Sequence, residues 1–521
     1  MAVRRLLLGI DAGTSVVKAV VYQMDGTPLA MHSTKTKIRS VHPLWMEVDM
    51  NEVWSAVVNT VSALIHSASI RPEEILAIGV TGQGDGCWLV TAEGLPVRSA
   101  ILWADGRAAD QVDNWFTDGT AASAFSVNGS VVFPGAQAAI LHWLKRKEPK
   151  SLEKSRWALY CKDWLHLNLT GELCTDPSDA SLPFFDIAKR AYDPHLLSLY
   201  GIEDLEHLLP PVRPATRVGG RLRKKVAEQM GLSPNTPVVS GPFDIPACSI
   251  GSGAIRDGEG YTILGSTCLS GLVMSRCYLE PRNVGMTLCH RDPDKWLRVM
   301  GVMMGTPNLD WFLSHLGGNL QSEAQKRKRS VFQQMEEAIA KVPAGAGGVL
   351  YLPYLSPSGE RAPFVKASAR AQFSGLTVHH TDRHLLRAVL EGVAFSIRDS
   401  YEHMPVSVHH IKLSGGGARS ALWAQIIADV TGKAVSIPAV EETGTLGAAL
   451  NAAVAVGLFS SIEGAVQCCV GVSRRFEPDP KNRALYDELF GLYRRTYKTM
   501  WELWDHHQRA VGSRVLSAEA R

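Results

Sequence analysis

No apolar run in this 521-residue sequence reaches bilayer length. The longest, Leu446 to Phe459, falls short of the roughly 20 residues a membrane helix needs. Net charge is nearly absent too: 54 Lys and Arg against 51 Asp and Glu leave +3. So small a surplus gives no footing for nucleic acid or an anionic membrane surface. The nine cysteines lack the paired spacing of a zinc site, and the only close pair, Cys468–Cys469, is adjacent and unsuited to joint chelation. They read as reduced thiols, which points to the cytoplasm.

Several nucleotide signatures are also missing. Gly432-Lys433 is followed by Ala434, so there is no phosphate-binding G-x-x-x-x-G-K-[ST] loop. No dinucleotide G-x-G-x-x-G follows a strand. His290-Arg291-Asp292 has the letters of a protein-kinase catalytic loop, but Leu297 stands at the metal-binding Asn position and no D-F-G follows. The N-terminal MAVRRLLLGIDAG has too short an apolar stretch for a signal peptide and reads as a buried first strand. The basic run Lys326 to Arg329 reads as a solvated helix face.

What is present is the composition of a globular protein, 45% hydrophobic and 20% charged, at a length that calls for two large domains. Leu6–Ile10 and Val16–Tyr22 are strand-like around the turn Asp11-Ala12-Gly13-Thr14-Ser15. Tyr261–Leu264 and Leu269–Met274 repeat that arrangement around Gly265-Ser266-Thr267. Two such starts, half the chain apart, predict two related α/β domains. The expected division is 1–250, 251–475 and a helical extension over 476–521, with a glycine-rich hinge from Gly251 to Gly260. Spacing predicts helices over Asn51–Ser67 and Leu385–Ile397. An aromatic stripe from Tyr486 through Trp504 should be core packing.

Three segments carry chemistry. The Gly13-Thr14-Ser15 tip would present N–H groups and hydroxyls to phosphate, with Asp11 beside it to hold Mg²⁺ through water. Gly265-Ser266-Thr267 would do the same from the second domain. Gly415-Gly416-Gly417, between a strand and a helix, would let backbone approach a nucleotide, and the helix N-terminus would add partial positive charge. Asp244 lies just past the short strand Val238–Val239, where ligands of α/β sheets bind, and is the candidate base.

Taken together these segments resemble the FGGY carbohydrate kinases over roughly Leu6 to Phe459. Further shared motifs are Trp45 to Asp49, Trp103 to Arg107, Lys162 to Leu165, Thr175 to Ser181, Gly359 to Pro363, and Gln425, Asp429, Thr431 and Gly432. The resemblance implies two ribonuclease-H-like (actin/hexokinase-like) domains flanking a nucleotide- and substrate-binding cleft. It implies ATP and Mg²⁺ as cofactors, with Asp244 as general base. Asp11 and Thr14 would serve Mg²⁺ and phosphate, Thr267 the γ-phosphate, and Gly415–Gly417 the nucleotide. Trp103 and Asp105 would form the substrate-side wall.

At Gln83-Gly84-Asp85-Gly86 the chain departs from glycerol kinases, which carry Arg-Glu after the Gln, and from xylulokinases, which carry Met-His. Gly84 would open space and Asp85 would accept hydrogen bonds from hydroxyls. With Trp88 nearby, the pattern is similar to that of bacterial erythritol kinases. The expected reaction is ATP-dependent phosphorylation of a terminal hydroxyl of a small polyol, erythritol first. A ketopentose such as L-xylulose, or another polyol, is the alternative, and a non-metabolic actin-like nucleotide switch is the alternative of another class. A homodimer is left open.

Overall fold

The computed structural model describes residues 4–518. The chain forms two compact units: Met1–Asp257 with Val273–Arg298 and Pro438–Gly471, and Gly258–Leu272 with Val299–Ile437 and Val472–Arg521.

The first unit is built on a six-stranded sheet in the order Gly220–Arg221, Pro237–Ser240, Ile75–Gly82, Leu6–Ala12, Val16–Gln23, Pro28–Lys35. Leu6–Ala12 runs antiparallel to Val16–Gln23 and parallel to Ile75–Gly82, and Val238–Ser240 runs parallel to Ile78–Val80. Period-two alternation gives the central strands two apolar faces. Leu6, Leu8, Ile10 and Ala12 face a core shared with Val53, Val57, Val61 and Leu64 of helix Met50–Ser67. Asp49 starts that helix by accepting from the amides of Asn51 and Glu52.

On the other face, Leu7 and Ala77 pack with Leu446, Ala449 and Leu450 of helix Thr443–Ala455. The helix lies directly on backbone. A Cβ on Gly9 would sit 2.1 Å from the Thr445 carbonyl oxygen, and one on Gly79 would sit 2.0 Å from that of Ala448. Nothing local in the sequence ties this late segment to the first strands; the two glycines do.

The second unit repeats the plan. Glu259–Leu264 runs antiparallel to Cys268–Met274 and parallel to His410–Ser414, which pairs in turn with Ala434–Pro438. The expected pair of hairpin starts is therefore present, and the class is mixed α/β. Helix Asp382–Glu402 buries Leu386, Leu390, Val393 and Ile397. Tyr486, Phe490, Tyr493 and Tyr497 of the last helix pack around Phe395 and Tyr354, so the aromatic stripe is core.

Two readings need correction. Gly251 is not hinge. Helix Asp244–Ser252 runs through it, because its bare Cα lets the Thr443 carbonyl approach to 1.9 Å of where a Cβ would stand. Gly253, at φ +85°, ends the helix, and Gly260 is already in a strand. The basic run is solvated as expected, but it is not one helix face. Lys326 closes a helix, Lys328 turns at φ +52°, and Arg327 and Arg329 both reach Glu337 at 3.0 Å. Among the described residues no helix is long and apolar enough to cross a membrane.

Candidate active site

Three parallel strands of the first unit, Leu6–Ala12, Ile75–Gly82 and Pro237–Ser240, end at the same sheet edge, with Ala12 opposite Gly82 and Ser240 opposite Val80. The segments leaving that edge are the predicted ones: Gly13–Ser15, Gln83–Asp85 and Gly241–Asp244. Ligands gather beyond the carboxyl ends of such strands.

The Gly13 amide donates to the Val16 carbonyl at 3.1 Å and closes the hairpin tip. Thr14 Oγ1 donates to Gln83 Oε1 at 3.1 Å and accepts from Trp103 Nε1 at 2.9 Å. The Ser15 carbonyl accepts from the Thr36 amide at 2.9 Å. Thus Thr14, Gln83 and Trp103, from three distant stretches, form one hydrogen-bonded chain. Gly86, at φ +73°, ties this segment down by donating to the Gly135 carbonyl at 3.0 Å. Asp85 is buried and sits in the left-handed region at φ +54°, unusual for a non-glycine residue.

Gly84 does not open space. A Cβ there would lie 2.5 Å from Cδ2 of Phe243, so the buried Phe243 ring already fills the gap. Asp105 is likewise not available as a free wall carboxylate. It accepts from Arg107 Nε at 2.8 Å and from the Met46 amide at 2.6 Å. Arg107 also reaches Glu47 and lies over the Trp45 ring at 4.4 Å. Asp105 is a clasp that holds the segment bearing Trp103.

Asp244 is the first residue of its helix, one past the cap position, and is partly exposed. Burial, then the charges of Asp11 and Asp85, push its carboxyl up to about 8, with the Ile245 amide opposing. Asp11 is raised to about 6 by burial, with Lys18 pulling it down and Glu442 up. Alternation explains its place: Leu7, Gly9 and Asp11 share the face under helix Thr443–Ala455. Asp11 Oδ2 lies 2.8 Å from where a Gly444 Cβ would be, at that helix's N-terminal end. Asp11 Oδ1 is buried with no hydrogen-bond partner among the described residues.

The turn before Asp244 is braced by residues that sequence reasoning left without a role. Thr81 Oγ1 donates to the Pro242 carbonyl at 2.7 Å, and the Phe243 amide donates to Ser178 Oγ at 3.1 Å.

In the second unit, the Gly265-Ser266-Thr267 tip leans on Gly305 and Thr306. The Gly305 amide donates to the Ser266 carbonyl at 3.0 Å and the Thr306 amide to that of Gly265 at 2.8 Å. The Met303 amide, two residues earlier, donates to the buried carboxyl of Glu360 at 3.0 Å. Gly415 lies against the strand entering this tip: its Cβ would stand 2.7 Å from the Leu264 carbonyl oxygen. Gly417 packs on the Leu264 side chain, while Gly416 faces open space. The two glycine segments are therefore neighbours. The helix after them begins only at Ala421 and is capped by Ser420, which accepts from the Trp423 amide at 3.2 Å. A short 3-10 turn over Gly416–Arg419 separates the glycines from the helix end.

Residues 6–251 match the N-terminal domain of the FGGY family of carbohydrate kinases, and residues 260–456 match its C-terminal domain. The chain is similar to the erythritol kinase of Brucella abortus (strain 2308), 31% identical, with 96% of this chain and 97% of that protein covered. It is also similar to a probable L-xylulose kinase of Haemophilus influenzae, 30% identical, covering 93% and 97%. The solved structure of a ligand-bound xylulose kinase from Lactobacillus acidophilus superposes with a TM-score of 0.87 at 24% identity, covering 95% and 98% of the two chains. The chain belongs to the FGGY family of carbohydrate kinases.

Proposed function

We propose that this kinase transfers the γ-phosphoryl group of ATP to a terminal hydroxyl of a small polyol, erythritol first. The carrying observation is Asp244, a partly exposed residue with a desolvated carboxyl at the sheet edge where the Thr14–Gln83–Trp103 chain also lies. In its ionised form Asp244 accepts the acceptor hydroxyl's proton and orients its oxygen; because the carboxyl of the free enzyme is raised to about 8, this reading has turnover rise with pH towards that value. In a loose transition state that proton moves late, so positioning and phosphate contacts supply most of the barrier reduction.

Gln83, Gly84, Asp85 and Trp103 form the acceptor pocket, with Asp85 taking hydrogen bonds from hydroxyls. Gly13, Thr14 and Ser15 serve phosphate, as do Gly265, Ser266 and Thr267, and Gly415–Gly417 the nucleotide. In this reading the first unit binds substrate and Mg²⁺ and the second unit, which includes the last helix, binds ATP.

The donor set at Asp11 fits Mg²⁺: one carboxylate, with a buried oxygen that has no hydrogen-bond partner among the described residues, suits an ion that keeps most of its waters. Bound there, Mg²⁺ would neutralise phosphate charge. All nine cysteines are free, which supports a reducing, ATP-supplied compartment, the cytoplasm.

Erythritol is favoured by Asp85 and by the Brucella relative. L-xylulose is kept as the second reading because a relative named for it is as similar. The test is coupled ADP release with erythritol, glycerol, pentitols and ketopentoses. Release dependent on erythritol supports the reading, and release only with a ketopentose replaces it. Polyol-independent hydrolysis would instead mark a nucleotide switch. Asp85→Ala should raise the polyol KM at least tenfold and leave the ATP KM within twofold; equal effects would remove Asp85 from the pocket.

A further inference from the structure

A buried ionic cluster lies behind the turn that carries Asp244. Lys162 Nζ stands 2.7 Å from Asp163, 2.9 Å from Asp176 and 3.1 Å from Asp179, and all four side chains are essentially inaccessible. Burial works against the Lys162 ammonium, yet the three carboxylates hold it well above the usual lysine range. Burial likewise holds the Asp163 and Asp179 carboxyls above theirs, against the pull of Lys162. Burying one cation among three acids is a costly arrangement for stability alone.

The cluster connects to the turn before Asp244 through Asp176. Asp176 grips Ser178 twice, accepting from its amide at 3.0 Å and from its hydroxyl at 2.9 Å. A serine hydroxyl has one proton, and Asp176 takes it, so Ser178 Oγ meets its other neighbour as an acceptor. That neighbour is the Phe243 amide, at 3.1 Å. Pro242, just before, has no amide to give, and its carbonyl is held by Thr81 at 2.7 Å. Residues 242 and 243 are thus pinned at both ends, and Asp244 follows as the first residue of a helix.

We infer that Ser178, oriented by the Lys162–Asp176 pair, is a positioning residue for phosphoryl transfer: it fixes the Phe243 amide and so aims the Asp244 carboxyl at the acceptor hydroxyl. The inference rests on the reading of Asp244 as base. A misplacement of about 1 Å at the reacting groups can cost up to 10²-fold in rate.

The test uses the full chain with Ser178→Ala and the near-isosteric Ser178→Cys, a thiol being a weak acceptor. Asp244→Asn is run alongside. Each is followed by kcat, both KM values, the pH profile of kcat and the thermal midpoint. The inference expects kcat to fall at least tenfold per folded enzyme in both serine variants. It expects an ATP KM within twofold of wild type and a displaced pH limb for kcat. If Ala fails to fold, Cys decides. Serine variants with lowered midpoints but wild-type kcat and pH profile would overturn it, leaving Ser178 a packing residue. That result beside an inactive Asp244→Asn would sink this inference alone. An active Asp244→Asn would sink the base reading and this inference with it.

Discussion

Trp103 donates its indole N–H to Thr14 Oγ1 at 2.9 Å, joining two residues 89 positions apart. Thr14 in turn donates to Gln83, so the hairpin tip, Gln83 and Trp103 hold one another in register. Thr14→Val keeps the shape and removes both hydrogen bonds. If these residues line the proposed site, it should lower kcat/KM for the polyol by about 10–100-fold. The thermal midpoint should move by only a few degrees. Steady-state kinetics with both substrates varied checks this; wild-type kcat/KM would show that the chain has no bearing on turnover.

Gly84 and Phe243 make a second pair, coupled by volume. A methyl at position 84 meets the Phe243 ring at 2.5 Å, deep inside contact distance. Gly84→Ala should therefore cost activity and about 1–3 kcal/mol of stability by overpacking. The added Phe243→Leu should recover part of both, giving a coupling of at least 0.5 kcal/mol in the double-mutant cycle. Strict additivity would mean the ring simply moves aside.

In the second unit, Gly305 sits under the Gly265–Thr267 tip. A Cβ there would lie 2.4 Å from the Gly265 carbonyl oxygen. Gly305→Ala should displace the tip and raise the ATP KM about tenfold or more, with the polyol KM within twofold. Isothermal titration with an unreactive ATP analogue reads the same loss directly. Unchanged nucleotide affinity would remove the tip from phosphate binding.

Asp244 makes stability depend on pH. The native state holds its proton up to about 8, whereas the unfolded chain releases it near 4. The native form is therefore favoured at low pH, and this group's contribution is lost as pH rises from about 4 to 8. Asp244→Asn removes that loss. Without nucleotide and with metal chelated, the variant should be more stable than wild type at pH 8 by about 1–3 kcal/mol, a gap that closes towards pH 4. Thermal midpoints across that range check the slope; parallel curves would place the carboxyl in water.

Much of this was legible in the sequence because it is local. Helix Met50–Ser67 begins one residue before its expected start, and the Gly265–Thr267 turn falls where expected, while the first strand runs two residues further than expected, through Asp11 and Ala12, and leaves Gly13–Ser15 as its turn. What escaped depends on contacts between distant segments. Nothing near Gly84 signals that Phe243 fills its space, and although Arg107 stands only two residues from Asp105, nothing near Asp105 signals that the Met46 amide, 59 residues away in sequence, also occupies it. Gly251 looked like a hinge because glycine is ambiguous alone; only the facing Thr443 carbonyl explains it. Ser178 stood in a recognised motif, yet its partner Phe243 lies 65 residues on.

The most direct measurement is single-turnover phosphoryl transfer by Asp244→Asn with saturating ATP and polyol. The account predicts a rate lower by about 10²–10⁴-fold, equivalent to about 3–5 kcal/mol of transition-state stabilisation, with ATP affinity retained. A rate within a few-fold of wild type would contradict it.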